Sequence, residues 1–252
     1  MLYGYGYVNN HMPTLKATVM RGGSVNPLNT SLVSVYKGES NANDSKGVYN
    51  GTAIGGVTYT TGKSGNAFNF NGTTGYLNMG DVMDVGLSSW SYSMWFNTND
   101  GITNQMLFSK ALAGSSTGRV WASFLNNRIT FNFQADGSNI INTEMNTSTV
   151  GANIWYHLVV ILDRSDKLKI YLNGTLQGLT VTGGTNNLTP YTATNYNTTH
   201  PFRIGAYTAS DNTTPIVFFN GKIDEFGTWS RVLTSTEITE LYNSGTGKFY
   251  PY

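Results

Sequence analysis

A chain of 252 residues suits one large domain or two small ones, and large all-β sandwiches often reach this size alone. Only 12% of the residues are charged, the net charge is +1 and there is no basic or acidic run, which argues against a phosphate-tracking nucleic-acid surface. There is no cysteine, so disulfides and thiolate metal sites are excluded, and no run of about 18 apolar residues offers a transmembrane helix. The 13% of aromatic residues, within 39% hydrophobic overall, is ample for a core.

Residues 1–28 open the chain with Tyr3, Tyr5 and Tyr7 interleaved with glycine, followed by no sustained pattern. They lack the basic and apolar regions of a secretory signal. The expectation is an N-terminal arm that docks on its own domain, on a second copy or on another chain, with residues 29–252 forming the domain proper.

From there, short alternating or β-rich runs recur between Gly, Asn, Ser and Thr turns, the pattern of an all-β sandwich. They cover 32–37, 66–70, 91–98, 105–112, 119–126, 128–135, 155–163, 167–173, 175–182 and 216–229. Asn126-Asn127 and Asn173-Gly174 stand between alternating runs as two-residue hairpin turns, since both positions of such a turn need positive φ. Residues 164–166 make a third antiparallel step, after a run (155–163) apolar enough to be covered on both faces. Residues 183–200 form a long polar loop carrying Tyr191 and Tyr196, and loops of that length are usually functional or mobile. One helix is expected near the C-terminus: Thr234 and Glu237 form a capping box, Ile238, Leu241 and Tyr242 give it one apolar face, and Gly245 is placed to cap its end. It should lie on the outside of the sandwich.

Four stretches in register resemble the laminin-G-like, concanavalin-A-type jelly-roll family. GESNANDSKG…GKSGNAFNFNG resembles its opening, SYSMWFNT its central tryptophan strand, and WYHLVVILDRSDKLKIYLNG its histidine strand and hairpin. RIGAYT and FFNGKIDEFGTWSRVLTSTEITELYNSG resemble its ending. The resemblance spans roughly 32–245. It implies two stacked antiparallel sheets in a jelly-roll sandwich with one short C-terminal helix, a fold used by lectins, carbohydrate-binding modules, adhesion domains and some glucanases. Fold alone does not choose among them.

The adjacent carboxylates Asp224 and Glu225, in GKIDEF, bear on that choice. Glucanases of this fold carry three acids at alternate positions of one strand, where a nucleophile and an acid/base flank the glycosidic bond. Anchored on Asp224, this chain has Lys222 and Phe226 at the other two positions. Strand alternation also predicts that Asp224 and Glu225 point to opposite faces. The expectation is therefore no enzyme. Two readings remain for the acids. The resemblance implies a structural calcium held by Asp44 and Asp224 with Asn41 and Asn43, from the turn 39–47. Alternatively, Asp44 caps its own turn and Asp224 ties down a neighbouring loop. Under either reading Glu225 is solvent-facing or caps backbone.

Other chemistry is sparse. His11, His157 and His200 show no metal-ligand spacing, and His157 reads as a satisfied sandwich histidine. Trp90, Trp95, Trp155 and Trp229 read as packing residues, while the strand of Trp121 has one side of undetermined exposure. Tyr191, Tyr196, Tyr207, Asp211 and Asn212 bracket the RIGAY segment and offer the aromatic and amide groups that bind sugars. The alternative is polar loops with scattered tyrosines.

The function expected is non-catalytic recognition or adhesion, with a surface glycan as ligand and no membrane insertion. A binding domain without a leader fits display on a virus particle such as a bacteriophage, with residues 1–28 docking onto other virion proteins. A purely structural virion protein is the competing reading, a glycoside hydrolase with a paired-carboxylate cleft hidden in the sequence is a third and lesser one, extracellular or cell-surface placement is the competing location, and a homo-oligomer is compatible with either of the first two functions.

Overall fold

The computed structural model describes residues 26–115, 118–134 and 140–252. Tyr3, Tyr5, Tyr7 and the rest of the expected arm up to residue 25 lie outside the described residues. Residues 26–28 pack on the sandwich: Leu28 is buried, and its carbonyl accepts a 2.7 Å hydrogen bond from Trp229 Nε1.

The described residues form two eight-stranded antiparallel sheets packed face to face. In the first sheet the order is Thr175–Leu176, Leu168–Leu172, Tyr156–Leu162, Trp90–Thr98, Asn220–Trp229, Asn66–Asn71 and Thr58–Thr61, with Leu32–Tyr36 also paired to Asn220–Trp229. In the second it is Leu179–Gly184, Ile140–Met145, Arg128–Gln134, Arg119–Leu125, Gln105–Lys110, Phe202–Ile204, Tyr76–Asn78 and Thr52–Ile54. This is the expected jelly-roll sandwich. A small hairpin, Tyr207–Thr208 with Pro215–Ile216, forms a two-stranded sheet of its own.

Strand periodicity places the core. Tyr92, Met94 and Phe96 of one sheet meet Val120, Ala122, Phe124, Ile129, Phe131 and Phe133 of the other in one continuous cluster. The intervening residues face outward. The outer face of the first sheet is also covered. Val35, Val159, Ile161 and Trp229 form a second cluster with Leu28 and with Ile238 and Leu241 of the helix Ser235–Tyr242. This is why Val159 and Ile161 are apolar on the outer face of Tyr156–Leu162, where His157 is the third residue.

The hairpins follow their turn residues. Asn126 and Asn127 take φ of 51° and 63°, and Asn173 and Gly174 take 50° and 74°. Thr234 and Glu237 close the capping box at the helix start. At its end the left-handed position falls to Asn243 (φ 45°) rather than to Gly245, which lies in the next turn. Two expected strands divide. The run 175–182 breaks at Gln177-Gly178 and its halves join different sheets, and the run 216–229 breaks between Ile216 and Asn220. Among the described residues no helix is long and apolar enough to cross a membrane.

Candidate functional site

The carboxylate pair sits at a seam in the first sheet. Along Asn220–Trp229 the neighbour on one side changes from Asn66–Asn71 to Leu32–Tyr36. At that seam the register against Trp90–Thr98 shifts between Asp224 and Gly227, and Glu225 takes φ 49°. The extra residue is a β-bulge. Ile223 and Phe226 both enter the core, which three residues of regular strand would forbid, so Asp224 and Glu225 both fall on the outer face. The expected opposite-face arrangement is corrected by this bulge. Glu225 is not solvent-facing either: it is 7% exposed, and its Oε2 accepts a long 3.4 Å bond from the Tyr250 amide.

Asp224 is fully buried and ties down the turn between Thr58–Thr61 and Asn66–Asn71. Its Oδ2 accepts the amides of Lys63 at 2.8 Å and Ser64 at 3.0 Å. A Cβ on Gly62 would lie 2.5 Å from that oxygen, so the turn closes only around glycine. Burial drives Asp224 up to about 7 against the pull of these amides. Burial, and then the Asp224 charge beside it, drives Glu225 up to about 8. Neither acid lines an open cleft.

Asp44 holds a different loop. Its Oδ1 accepts from Val35 and Lys46 amides at 2.9 and 3.0 Å, and its Oδ2 from Val48 and Tyr49 amides at 3.2 Å each. Asn41 accepts from the Asn43 amide at 2.9 Å, and Asn41, Asn43 and Asp44 line a hollow of about 190 Å³ with Lys37 and Glu39. Calcium takes six to eight oxygen ligands. Here both oxygens of Asp44 accept from backbone amides, four in all, and among the described residues no three His, Asp or Glu side chains cluster. The hydrogen bonds present are those of turn-capping and loop-tying acids. His157 is likewise interior: Nε2 meets Ser93 Oγ at 2.9 Å, Trp95 and Tyr242 pack on its ring, and burial lowers its pKa to about 3.

The open chemistry lies on the outer face of the second sheet. Because Val120, Ala122 and Phe124 point inward, Arg119, Trp121 and Ser123 point outward. Pairing then sets a row across the sheet: Asn142 opposite Asn132, Asn132 opposite Trp121, Trp121 opposite Ser109 and Ser109 opposite Arg203. Trp121 is half-buried. The hairpin with Tyr207 folds over the Ser109–Arg203 side, held by Ser109 Oγ to the Ala206 carbonyl (2.8 Å) and by Arg203 Nη2 to the Thr213 carbonyl (2.8 Å). Tyr207 then stands edge-on to Trp121, ring centroids 6.4 Å apart, with the Arg119 guanidinium against its hydroxyl. Burial raises the Tyr207 hydroxyl above its ordinary value, and Arg119 opposes that rise. Arg119 also donates to Gln134 Oε1. Further along the same face, Leu125, Asn126, Arg128, Glu144 and Ser148 enclose a hollow of about 320 Å³, with Arg128 and Glu144 paired at 2.8 Å.

The expected loop residues are dispersed. Only Tyr207 joins the Trp121 row. Tyr196 is 4% exposed, stacked on Phe133 at 3.9 Å with Arg164 over its ring. Tyr191 is half-buried, and its carbonyl, like that of Thr194, accepts from Arg164. Asp211 is exposed and caps its own turn through the Thr213 and Thr214 amides. Asn212 Oδ1 meets His200 Nδ1 at 3.0 Å. Sequence reasoning left Trp121 undecided and missed Arg119, Asn132, Asn142 and Arg203. The signal was present: a two-residue turn at Asn126-Asn127 forces Trp121 opposite Asn132.

Residues 71–239 match the laminin-G-type model of the concanavalin A-like lectin/glucanases superfamily. No curated protein matches the sequence. Among solved structures, the chain is similar to domain 4 of an extracellular GH43 arabinanase from Geobacillus stearothermophilus, solved with arabinotriose (TM-score 0.57, 20% identity, 86% of this chain and 98% of that one). It is also similar to the binding domain of Paraclostridial Mosquitocidal Protein 1 (TM-score 0.65, 16% identity, 85% of this chain). A third is the botulinum neurotoxin serotype D binding domain (TM-score 0.62, 14% identity, 85% of this chain). The chain spans about half the length of those two toxin domains, 52% and 51%.

Proposed function

We propose, from the premise that this chain belongs to the concanavalin A-like lectin/glucanases superfamily, that it is a non-catalytic module that binds a glycan on the outer face of its second sheet. The observation that carries this reading is the half-buried Trp121, set edge-on to Tyr207 in a row of amide and guanidinium side chains. Such a face offers a sugar an apolar ring to lie against and polar groups for its hydroxyls. Among the described residues, the helix and the second apolar cluster cover the outer face of the first sheet around Val35, Val159, Ile161 and Trp229. The absence of a catalytic role rests on the bulged, buried Asp224–Glu225 pair and on Lys222 and Phe226 at the positions where a glucanase needs acids.

The arabinotriose complex of the arabinanase domain and the binding roles of the toxin domains favour recognition over hydrolysis within this fold. The test is a broad glycan array with the purified chain and with Trp121→Ala. Specific binding lost in the variant, with a melting temperature lowered by no more than a few degrees, supports the reading. Binding that survives Trp121→Ala moves the site elsewhere, and release of reducing sugar from any bound glycan overturns the non-catalytic assignment.

A further inference from the structure

Buried polar groups in proteins are nearly always hydrogen-bonded, so several unsatisfied ones in one place ask for a reason. Three meet on the outer face of the second sheet. Trp121 Nε1, Arg119 Nε and Asn132 Oδ1 are buried and have no hydrogen-bond partner among the described residues. They are immediate neighbours: Arg119 and Trp121 share one face of one strand, and Asn132 stands directly opposite Trp121. The other ends of these side chains are engaged. Asn132 Nδ2 donates to Asn142 Oδ1 at 2.8 Å, and Arg119 Nη2 donates to Gln134. The side chains are therefore held in place while two donors and one acceptor stay unmatched among the described residues.

Charge adds a second, independent constraint. Arg119 makes no ion pair among the described residues. On the same face Glu144 is paired with Arg128, and Asp211 is committed to its own turn. Among the described residues, the centre of the face thus carries a guanidinium with no carboxylate to answer it.

We infer that the ligand of this face is an acidic saccharide, one that carries a ring carboxylate, seated with its anionic group at Arg119 and Trp121 and a hydroxyl at Asn132. The inference rests on the glycan reading above and narrows it. A carboxylate is acceptor-only, so it satisfies the guanidinium and indole donors together. A sugar hydroxyl next to it donates to the Asn132 carbonyl oxygen. A neutral sugar meets the hydrogen bonds but leaves the guanidinium charge unanswered.

The test is calorimetric titration of the full chain with an oligogalacturonate and with its methyl ester, which keeps the ring and removes the charge. The acid should bind about tenfold or more tightly than the ester. Arg119→Gln should abolish that preference, weakening the acid to the level of the ester, while Arg119→Lys keeps part of it. In the unaltered protein, raising the ionic strength to about 0.5 M should weaken the acid and leave the ester unchanged. This arm holds even if a variant folds poorly. Equal binding of acid and ester, or a preference that survives Arg119→Gln, overturns the inference. Trp121-dependent binding of neutral glycans alone overturns it while leaving the glycan reading standing. No binding to either probe or to any glycan on the array removes both.

Discussion

Asp224 and Glu225, adjacent in the chain, lie on the same outer face of the first sheet because a bulge absorbs one residue between them and Gly227. Two carboxyl groups thus share one buried neighbourhood, with Lys37 and Glu39 the charged groups near them.

This arrangement makes stability pH-dependent with an unusual sign. Burial raises Asp224 from 3.8 to about 7 and Glu225 from 4.5 to about 8. Between pH 4 and 8, on the order of these values, the folded protein holds protons that the unfolded chain has released. Their contribution is therefore greatest at acid pH and declines as pH rises through that window, then levels off. Urea unfolding at a series of pH values should show it, with Asp224→Asn and Glu225→Gln each flattening the decline. A stability that rises with pH from 4 to 8 in the unaltered protein, with no change of slope in either variant, contradicts this account.

Gly62→Ala should be destabilising by about 1–3 kcal/mol, because its Cβ would meet the Asp224 carboxylate at 2.5 Å. Asp224→Ala alone should also cost about 1–3 kcal/mol, by leaving the Lys63 and Ser64 amides without their acceptor. The two costs should add less than fully, since removing the carboxylate removes the shortest contact while those with the Asn66 and Ala67 backbone, at 2.8 and 2.9 Å, remain. A double-mutant cycle in denaturant reads the coupling, and strict additivity would show that the turn is not held by this carboxylate.

Arg164 is 3% exposed and spends its guanidinium on the carbonyls of Gly86, Tyr191 and Thr194. Arg164→Ala should release the segment around Thr189–Tyr191 from the body of the sandwich. Hydrogen exchange should rise across residues 186–196 while protection in Trp90–Thr98 and Tyr156–Leu162 changes little. Uniform loss of protection would assign Arg164 to the global fold instead.

Trp121 should report directly on its surroundings. Its ring contributes little to the core, so Trp121→Ala should shift the melting temperature by only a few degrees, of the order expected for about 1 kcal/mol. Titration with any bound saccharide should change the tryptophan emission of the unaltered protein. The Trp121→Phe variant should keep part of the affinity and lose most of that signal.

Much of the sandwich was legible because it is written in alternation. Val120, Ala122 and Phe124 against Arg119, Trp121 and Ser123 declare a strand with two different faces, and the asparagine turns at 126–127 and 173–174 fix their hairpins. Thr52–Ile54, Tyr76–Asn78 and Phe202–Ile204 escaped notice because three residues show no period. The run 175–182 read as one strand because nothing local says that its halves belong to different sheets. The orientation of Glu225 was misread for a related reason. Parity counting assumes an unbroken ladder, and the bulge is set by a change of neighbour on the far side of the strand, from Asn66–Asn71 to Leu32–Tyr36. At the candidate site, Tyr207 could be named from its loop. Its companions Arg119 and Asn132 emerge only once three strands are laid side by side.

The bond from Asn29 Nδ2 to the Tyr252 carbonyl, 3.2 Å, and the stacking of Tyr252 on Trp229 bring residues 29 and 252 together behind the first sheet. A linker, tag or surface attached after Tyr252 therefore departs from the side of the molecule turned away from Trp121. Tethered by that end to a bead, a sensor chip or a larger assembly, the domain holds the Trp121 face outward, and many copies on one support would present parallel faces to a multivalent glycan.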